Sequence, residues 1–437
     1  MGIEFITLFI FFFLLALLLT GFPISFTLLS VGIVGFIIFL GPKTLYAVFS
    51  TTFGVITKDI YLAIPLFVLM ATILQASGLA SALYDTMYKW MAGLSGGLAI
   101  GTVIICTLIA AMTGLGGTGT VTMGLLAYPE MRDRGYNKGL AIGSIPSGGA
   151  LGLLIPPSIL MIIVGGFGHL SVGALFIGGI FPGLLISFLF CVYIAIRCFC
   201  NPELGPTLAV TERATWREKF ASLRNSVLPI LLVILVLGGI YSGACTPTEA
   251  GGIGAMGALI CAAVYRKLNW QSLKSAMNDA FRINAMLFWI IIGGSVFASL
   301  LSATGVIHFV GNFLMSLPIG PFGILIVMLL ITFILGMFIE TVALVMITVP
   351  IFIPVINTIG IDPLWFGLLY VIDLTIGMIT PPFGYNLFYF KGVGHTDVSM
   401  MDIYQSIWPF IGIMVIALIL CIVFPEILIW LPNTMID

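Results

Sequence analysis

Two short segments, related by a shift of 225 residues, carry the residues best suited to hold an ion inside an apolar chain. They are Gly152-Leu-Leu-Ile-Pro156-Pro157 and Gly377-Met-Ile-Thr-Pro381-Pro382. Proline has no N–H and clashes with the carbonyl of the preceding turn, so two in succession free carbonyl oxygens just upstream. The carbonyls of Gly152 and Ile155 in one copy, and of Gly377 and Thr380 in the other, are the expected ligands of sodium. Sodium is a hard cation and favours oxygen over nitrogen or sulfur, as other hard cations do. One such motif alone reads as a kink in a packed helix. Two matched copies favour ion binding.

A second pair of breaks lies upstream of each motif. The run Ala111-Met-Thr113-Gly114-Leu-Gly116-Gly117-Thr118-Gly119-Thr120 interrupts an apolar stretch with four glycines in six residues. Each costs a helix roughly 1 kcal/mol relative to Ala, and the threonine hydroxyls add oxygen ligands. The matched segment Gly336-Met-Phe-Ile-Glu340-Thr341 has no glycine run but brings a carboxylate into the apolar region. Broken ends expose carbonyls to cations and positively poled N–H groups to anions. Glu340 and Asp373 lie deep in apolar runs, where an ionisable group is a functional candidate. Glu340 reads equally as a sodium or proton ligand and as an acceptor for the N–H groups of a neighbouring broken helix. Glu249, in Thr246-Pro-Thr-Glu249, reads as the closing residue of a capping box. Lys58-Asp59 reads as an interface mark.

The elements that position these groups are membrane helices. Of 437 residues 60 % are hydrophobic and 8 % charged, against about 25 % charged in soluble domains. The apolar runs are continuous rather than alternating, which favours helices over a barrel. At about 20 residues per span the chain has room for roughly ten to twelve. Met-Gly-Ile-Glu lacks the basic start of a signal peptide, so Ile3–Thr20 reads as a retained first span. Two stretches, Ala63 to Gly78 and Ala285 to Gly305, read as re-entrant hairpins with tips at Gln75-Ala-Ser77-Gly78 and Gly293-Gly294-Ser295.

The repeat extends beyond the proline pairs. The same shift places Met112 on Met337, Pro129 on Pro354, Gly135 on Gly360 and Asn137 on Asp362. Its loops differ in sign: 132–138 holds three basic residues, and 357–363 holds none and one Asp. The segments Arg197–Arg224 and Arg266–Arg282, with five and four basic residues, fall on the same side as 132–138. The positive-inside rule makes that side cytoplasmic and sets the two halves in opposite orientation, an inverted-topology repeat common in secondary transporters. A net charge of −1 with scattered basic residues excludes a nucleic-acid surface. Seven Cys without a C-x-x-C pair and three dispersed His read as core residues rather than a disulfide frame or zinc site.

In combination, Thr113-Gly-Leu-Gly-Gly-Thr-Gly, Tyr128-Pro-Glu-Met131, Arg134-Gly-Tyr136, Leu151–Met161, Ala63-Ile-Pro-Leu-Phe67, Thr246-Pro-Thr-Glu-Ala250 and Gly377–Gly384 resemble the large (M, DctM-like) membrane subunit of tripartite ATP-independent periplasmic (TRAP) transporters. The resemblance covers about residues 3 to 432. It implies an all-α polytopic protein of elevator type in the inner (cytoplasmic) membrane of a bacterium or archaeon. It also implies sodium-driven import of small organic anions, without ATP or organic cofactor. The implied partners are a small four-helix membrane subunit, a periplasmic solute-binding protein and the lipid bilayer. The length of the chain leads us to expect the four-helix subunit as a separate chain.

Carried onto this chain, one sodium site uses Gly336, Gly377, Thr380 and the Phe383 carbonyl. The other uses Thr113, Gly114, Gly117 and Thr118 with Ser147, Gly152 and Ile155. The family commonly has serines and alanines in the first break, where this chain has Gly116-Gly117-Thr118-Gly119, so threonines must substitute. Substrate is expected between the two breaks, against Pro156, Pro157, Pro381 and Pro382, with Glu340 and Ser295 as further candidates. The expected organisation is scaffold spans and an arm in 1–60, a first transport repeat in 61–170, scaffold spans with basic loops in 171–282, a second transport repeat in 283–395, and an amphipathic segment with the last span in 396–437. A stand-alone carrier of inverted design, a dicarboxylate symporter or sodium/proton antiporter, is the rival reading. A membrane enzyme would need a catalytic cluster such as H-E-x-x-H, and the sequence has none.

Overall fold

The computed structural model describes residues 2–207 and 213–436. Residues 208–212 of the basic Arg197–Arg224 segment lie outside them. The described residues form helices and no strand. The first half runs α1 (Ile3–Leu19), α2 (Ile24–Gly35), α3 (Leu45–Ile56), α4 (Asp59–Ala76), α5 (Leu79–Met91), α6 (Gly97–Thr113), α7 (Thr118–Asp133), α8 (Lys138–Ala150), α9 (Ile159–Gly168) and α10 (Val172–Cys200). The second runs α11 (Trp216–Tyr241), α12 (Pro247–Val264), α13 (Trp270–Thr304), α14 (Val306–Met315), α15 (Gly320–Gly336), α16 (Thr341–Thr358), α17 (Pro363–Gly377), α18 (Tyr385–Gly392), α19 (Met400–Val423) and α20 (Glu426–Ile429). Six of these are long and apolar enough to cross a membrane alone.

The duplication is visible in the packing. α2 lies along α13, and α4 along α12. Since α12 and α13 occupy the places of α2 and α4 in the second half, this is one contact made twice. The same exchange pairs α7 with α18 and α16 with α9, then α8 with α19 and α17 with α10.

Local chemistry sets the boundaries. Asn137 starts α8 by accepting from Leu140 N at 3.1 Å, and Ser158 starts α9 by accepting from Met161 N at 3.4 Å. Thr246 and Glu249 form the capping box expected of them, with Pro247 as the first helical residue.

Hydrogen bonds fix the sides. Gly96 N donates to Gly205 O and Asn137 N to Leu204 O, both at 2.9 Å. The start of α6 and the residue following the α7 turn therefore meet at one loop, and α6–α7 is a hairpin that returns to the end it left. Its arms of 17 and 16 residues are about 25 Å long, short of the roughly 30 Å hydrocarbon core. The opposite end gathers Thr248 on the Asp59 carbonyl (3.2 Å) and Ile436 N on the Tyr241 carbonyl (3.3 Å). Among the described residues, Lys43 and Lys58 are the only Lys or Arg on the connections at that second end. The first end is cytoplasmic by its charge.

Two expectations need correction. The first turn does fall at Ser77-Gly78, but its first arm is the 18-residue helix α4. The expected tip Gly293-Gly294-Ser295 is the uninterrupted interior of the 35-residue α13, and the chain turns at Gly305 (φ 81°). These glycines serve close packing instead: a Cβ on Gly293 would sit 2.4 Å from Ser25 O in α2, and one on Gly294 2.1 Å from Met346 Sδ in α16. The helical hairpins that meet the proline breaks are α6–α7 and, in the repeated position, α15–α16.

Candidate functional site

In the first half the α6–α7 turn sits on the break between α8 and α9. α6 stops at Gly114 in a left-handed conformation (φ 60°), and α7 starts after Gly117 (φ 89°). The Gly114 carbonyl accepts from Ile159 N at 3.2 Å. A Cβ at Gly114 would lie 2.0 Å from the Pro157 carbonyl oxygen, and one at Gly152 2.6 Å from that of Leu115. Only glycine permits this approach of two backbones.

The second half repeats the arrangement. Gly336 and Gly377 touch backbone to backbone, a Cβ on Gly377 falling 3.1 Å from Gly336 Cα. Gly384 N donates to Met337 O at 3.4 Å. Pro156–Pro157 and Pro381–Pro382 both carry a cis peptide bond.

The structure therefore brings Thr113, Gly114 and Gly152 together, and Gly336 with Gly377 and Thr380. Thr113, Ser147 and Thr380 hydroxyls each donate to the carbonyl four residues back, at 2.7 to 2.8 Å. Such a hydroxyl keeps its lone pairs for a cation. Ile155 packs its side chain against Gly183 of α10. Phe383 is half exposed, its ring beside Phe338 and Phe388.

Gly117 and Thr118 line a cavity of about 320 Å³ with Gln75, Gly116, Thr122 and Tyr389. Glu340 is the N-cap of α16, accepting from Ala343 N at 3.0 Å and from the Thr341 hydroxyl at 3.2 Å. Glu340 thus caps the start of its own helix, rather than accepting from a neighbouring broken helix. Ser295 does not join the breaks. It lies on α13 and lines a separate cavity of about 580 Å³ with Lys58, Tyr61, His169 and Pro350.

Contacts across the repeats join the two breaks. Gly116 lies against Leu153 of its own half and Met378 of the other, and the Tyr389 ring lies on Gly117. Asn386 Nδ2 donates to the Pro146 carbonyl at 2.5 Å. Asn386 Oδ1, Thr120 Oγ1 and Asp373 Oδ2 are buried without a hydrogen-bond partner in the protein. The sequence reading placed Gln75 only at a hairpin tip and missed Asn386 and Tyr389. A buried polar residue shortly after a broken helix was the available signal for Asn386. Gln75 and Tyr389 reach the site only by tertiary folding.

Comparison with known proteins agrees with this architecture. The family model "Tripartite ATP-independent periplasmic transporter, DctM component" matches residues 11–427. The C4-dicarboxylate TRAP transporter large permease protein DctM of Vibrio cholerae is 31 % identical over 97 % of this chain and 97 % of its own length. Its namesake in Pseudomonas aeruginosa is 34 % identical over 85 % and 86 %. The Alcanivorax borkumensis YdaH transporter shares the fold, with a TM-score of 0.66 at 17 % identity, covering 97 % of this chain and 99 % of that one. The chain thus belongs to the DctM family, the large permease subunits of TRAP transporters for organic acids, and is a multi-pass protein of the bacterial inner membrane.

Proposed function

We propose that this permease imports small organic carboxylates by coupling them to sodium, working with a small four-helix membrane subunit and a periplasmic binding protein that delivers the solute. The observation that carries the reading is the paired set of breaks, each a helical turn seated on a proline-broken helix with close-packed backbones. Gly336, Gly377, Thr380 and the Phe383 carbonyl would hold one sodium. Thr113, Gly114, Ser147, Gly152 and Ile155, with Gly117 and Thr118 at the turn, would hold the other. Substrate would lie between the breaks, beside the two proline pairs. C4-dicarboxylates are the first candidates, because the relatives above are named for them.

The same reading makes residues 61–170 and 283–395 a mobile body that slides against a framework of the remaining spans. Swapped packing between the halves supports such a body, since the hairpin and broken helix of each half touch those of the other.

The test is uptake of succinate into proteoliposomes holding this chain, with the small subunit and binding protein added or omitted and the sodium gradient imposed or absent. Uptake that needs all components and inward sodium supports the proposal. Uptake by this chain alone would replace it with a stand-alone carrier, and sodium-independent uptake would remove the ion sites.

A further inference from the structure

The start of α11 is set apart from its membrane span. Trp216–Arg224 and Ser226–Tyr241 meet at a bend of 46°. Two groups account for the bend. Pro229 offers no N–H to the carbonyl one turn back. Tyr265, the residue that ends α12, stands in the neighbouring rung of the ladder. Its hydroxyl donates to the Arg224 carbonyl at 2.8 Å and accepts from Leu228 N at 3.4 Å. A side chain inserted between a carbonyl and the N–H four residues on kinks a helix. Arg266 and Lys267 follow Tyr265 directly, so the same contact carries them to the bend.

One side of the bent segment packs on α5. Ser222 is buried there, its carbonyl accepting from the Thr86 hydroxyl at 3.0 Å, and Trp90 Nε1 donates to the Lys219 carbonyl at 3.1 Å. The other side is open. Trp216, Phe220 and Arg224 recur along it every four residues, with Arg217 beside them. Trp216 and Phe220 are 68 % and 60 % exposed. Their rings stack at 6.2 Å between centroids, with Trp90 set perpendicular to both.

The charge on this face has one sign. Arg217, Arg224, Arg266 and Lys267 are exposed, and none of them forms an ion pair among the described residues. Lys219 lies over the Trp216 ring at 5.0 Å. Glu218, the acid of the segment, is turned onto its own helix start, where it accepts from Thr215 N at 2.7 Å and from the Thr215 hydroxyl at 2.8 Å. The segment lies at the cytoplasmic end, where the apolar run of α11 begins. Water is a poor partner for two large open rings, and hydrocarbon for four unpaired cations. The headgroup layer of the cytoplasmic leaflet suits both. Its surface is negative, phosphate oxygens match guanidinium forks, and aromatic rings settle at that depth.

We propose that this face is a docking site for an anionic phospholipid of the cytoplasmic leaflet. Arg217 and Arg224, with Arg266 and Lys267 alongside, receive the headgroup phosphate, and Trp216 and Phe220 receive the glycerol and upper acyl chains. Because the segment packs on α5, which leads into the α6–α7 hairpin, the lipid braces the approach to the first break.

The test counts bound lipid by native mass spectrometry, on the detergent-purified chain titrated with equal amounts of phosphatidylglycerol and phosphatidylcholine of the same acyl chains. Phosphatidylglycerol should be retained about threefold or more over phosphatidylcholine. Arg217→Gln combined with Arg224→Gln should at least halve that ratio. Lys274→Gln combined with Arg282→Gln removes the same charge from exposed positions at the start of α13 and should leave the ratio unchanged. No preference, a preference that survives the first pair, or an equal loss with the second pair overturns the proposal.

Position is read separately, in a chain that keeps Trp216 and has its other tryptophans replaced by Phe. Phosphatidylglycerol brominated in its acyl chains should quench Trp216 more than the same fraction of brominated phosphatidylcholine, and equal quenching overturns the site. Quenching by neither lipid once the small membrane subunit is added would make the face a protein interface and overturn it as well. The mass measurement keeps every tryptophan and decides alone if this variant does not fold.

Discussion

Asn386 and Pro146, 240 residues apart in sequence, are joined by a buried 2.5 Å hydrogen bond from the side-chain amide to the backbone carbonyl. It ties the helix after the second break to the helix before the first. Asn386→Leu would remove this second donor to a carbonyl already inside the α8 helix, at a cost of about 0.5–1.5 kcal/mol for the lost hydrogen bond. A lowered melting temperature in detergent is expected, together with weaker uptake. An unchanged melting temperature would show that the bond does not hold the halves.

Gly114 and Gly360 share a left-handed backbone but differ in surroundings. A Cβ at Gly114 meets the Pro157 carbonyl at 2.0 Å, and one at Gly360 meets nothing within 4 Å. Gly360→Ala should cost only backbone strain, on the order of 1 kcal/mol. Gly114→Ala adds a clash between two backbones at the break and should abolish uptake or folding. Parallel melting and uptake measurements decide, and equal behaviour of the two variants would refute the close approach.

Glu340 acts here as a cap. Glu340→Ala should destabilise the protein by about 0.5–2 kcal/mol. Glu340→Gln retains an accepting oxygen and should recover much of the loss. If Gln behaves as Ala in melting, the charge rather than the cap is what matters.

Thr380→Val removes a hydroxyl but keeps the shape of the side chain. On the proposed sodium assignment, uptake should lose its sodium dependence while the protein still inserts and melts cooperatively. Normal sodium-dependent uptake would sink that ligand set.

At the cytoplasmic end Tyr128 OH donates to Asp397 at 2.7 Å, with Arg132 3.8 Å away and Lys138 on the Asp397 carbonyl. The Tyr128 hydrogen bond chiefly, with the nearby Arg132 charge, holds the Asp397 carboxyl below its usual range. A depressed carboxyl contributes stability above its unfolded value and loses it as pH falls through the folded one. Tyr128→Phe should therefore lower the melting temperature at pH 7, and the gap to the unaltered protein should close below the ordinary carboxylate range. A gap that persists in acid would assign the effect to packing of Tyr128 on His395.

Much of this was legible in the chain because proline and glycine act locally. The paired Pro156-Pro157 and Pro381-Pro382 marked both breaks, and Thr246-Pro-Thr-Glu249 marked its capping box without reference to the rest of the fold. Gly293-Gly294 misled because a glycine pair can serve a turn or a close helix crossing, and only the presence of Ser25 and Met346 opposite selects the second. Ser295, on the same uninterrupted helix, lines a cavity apart from the two breaks. Gln75 stood out only as a polar hairpin tip and Tyr389 not at all, because their meeting depends on how α4 and α18 are placed by distant partners.

The exchange of partners between halves has a consequence for how the protein is made. α2 is synthesised more than two hundred residues before α13, the helix against which Gly32 and Gly35 are fitted, and α4 likewise precedes α12. Until the second half emerges, α2 must stand in lipid with Gly32 and Gly35 bare, and α4 with Leu66 and Met70 not yet set against the glycines of α12. The nascent first half is therefore an unfinished surface rather than a finished domain. Its assembly is timed by elongation, and a truncated chain released before α13 would lack the Val296 and Leu300 side chains that cover Gly32 and Gly35.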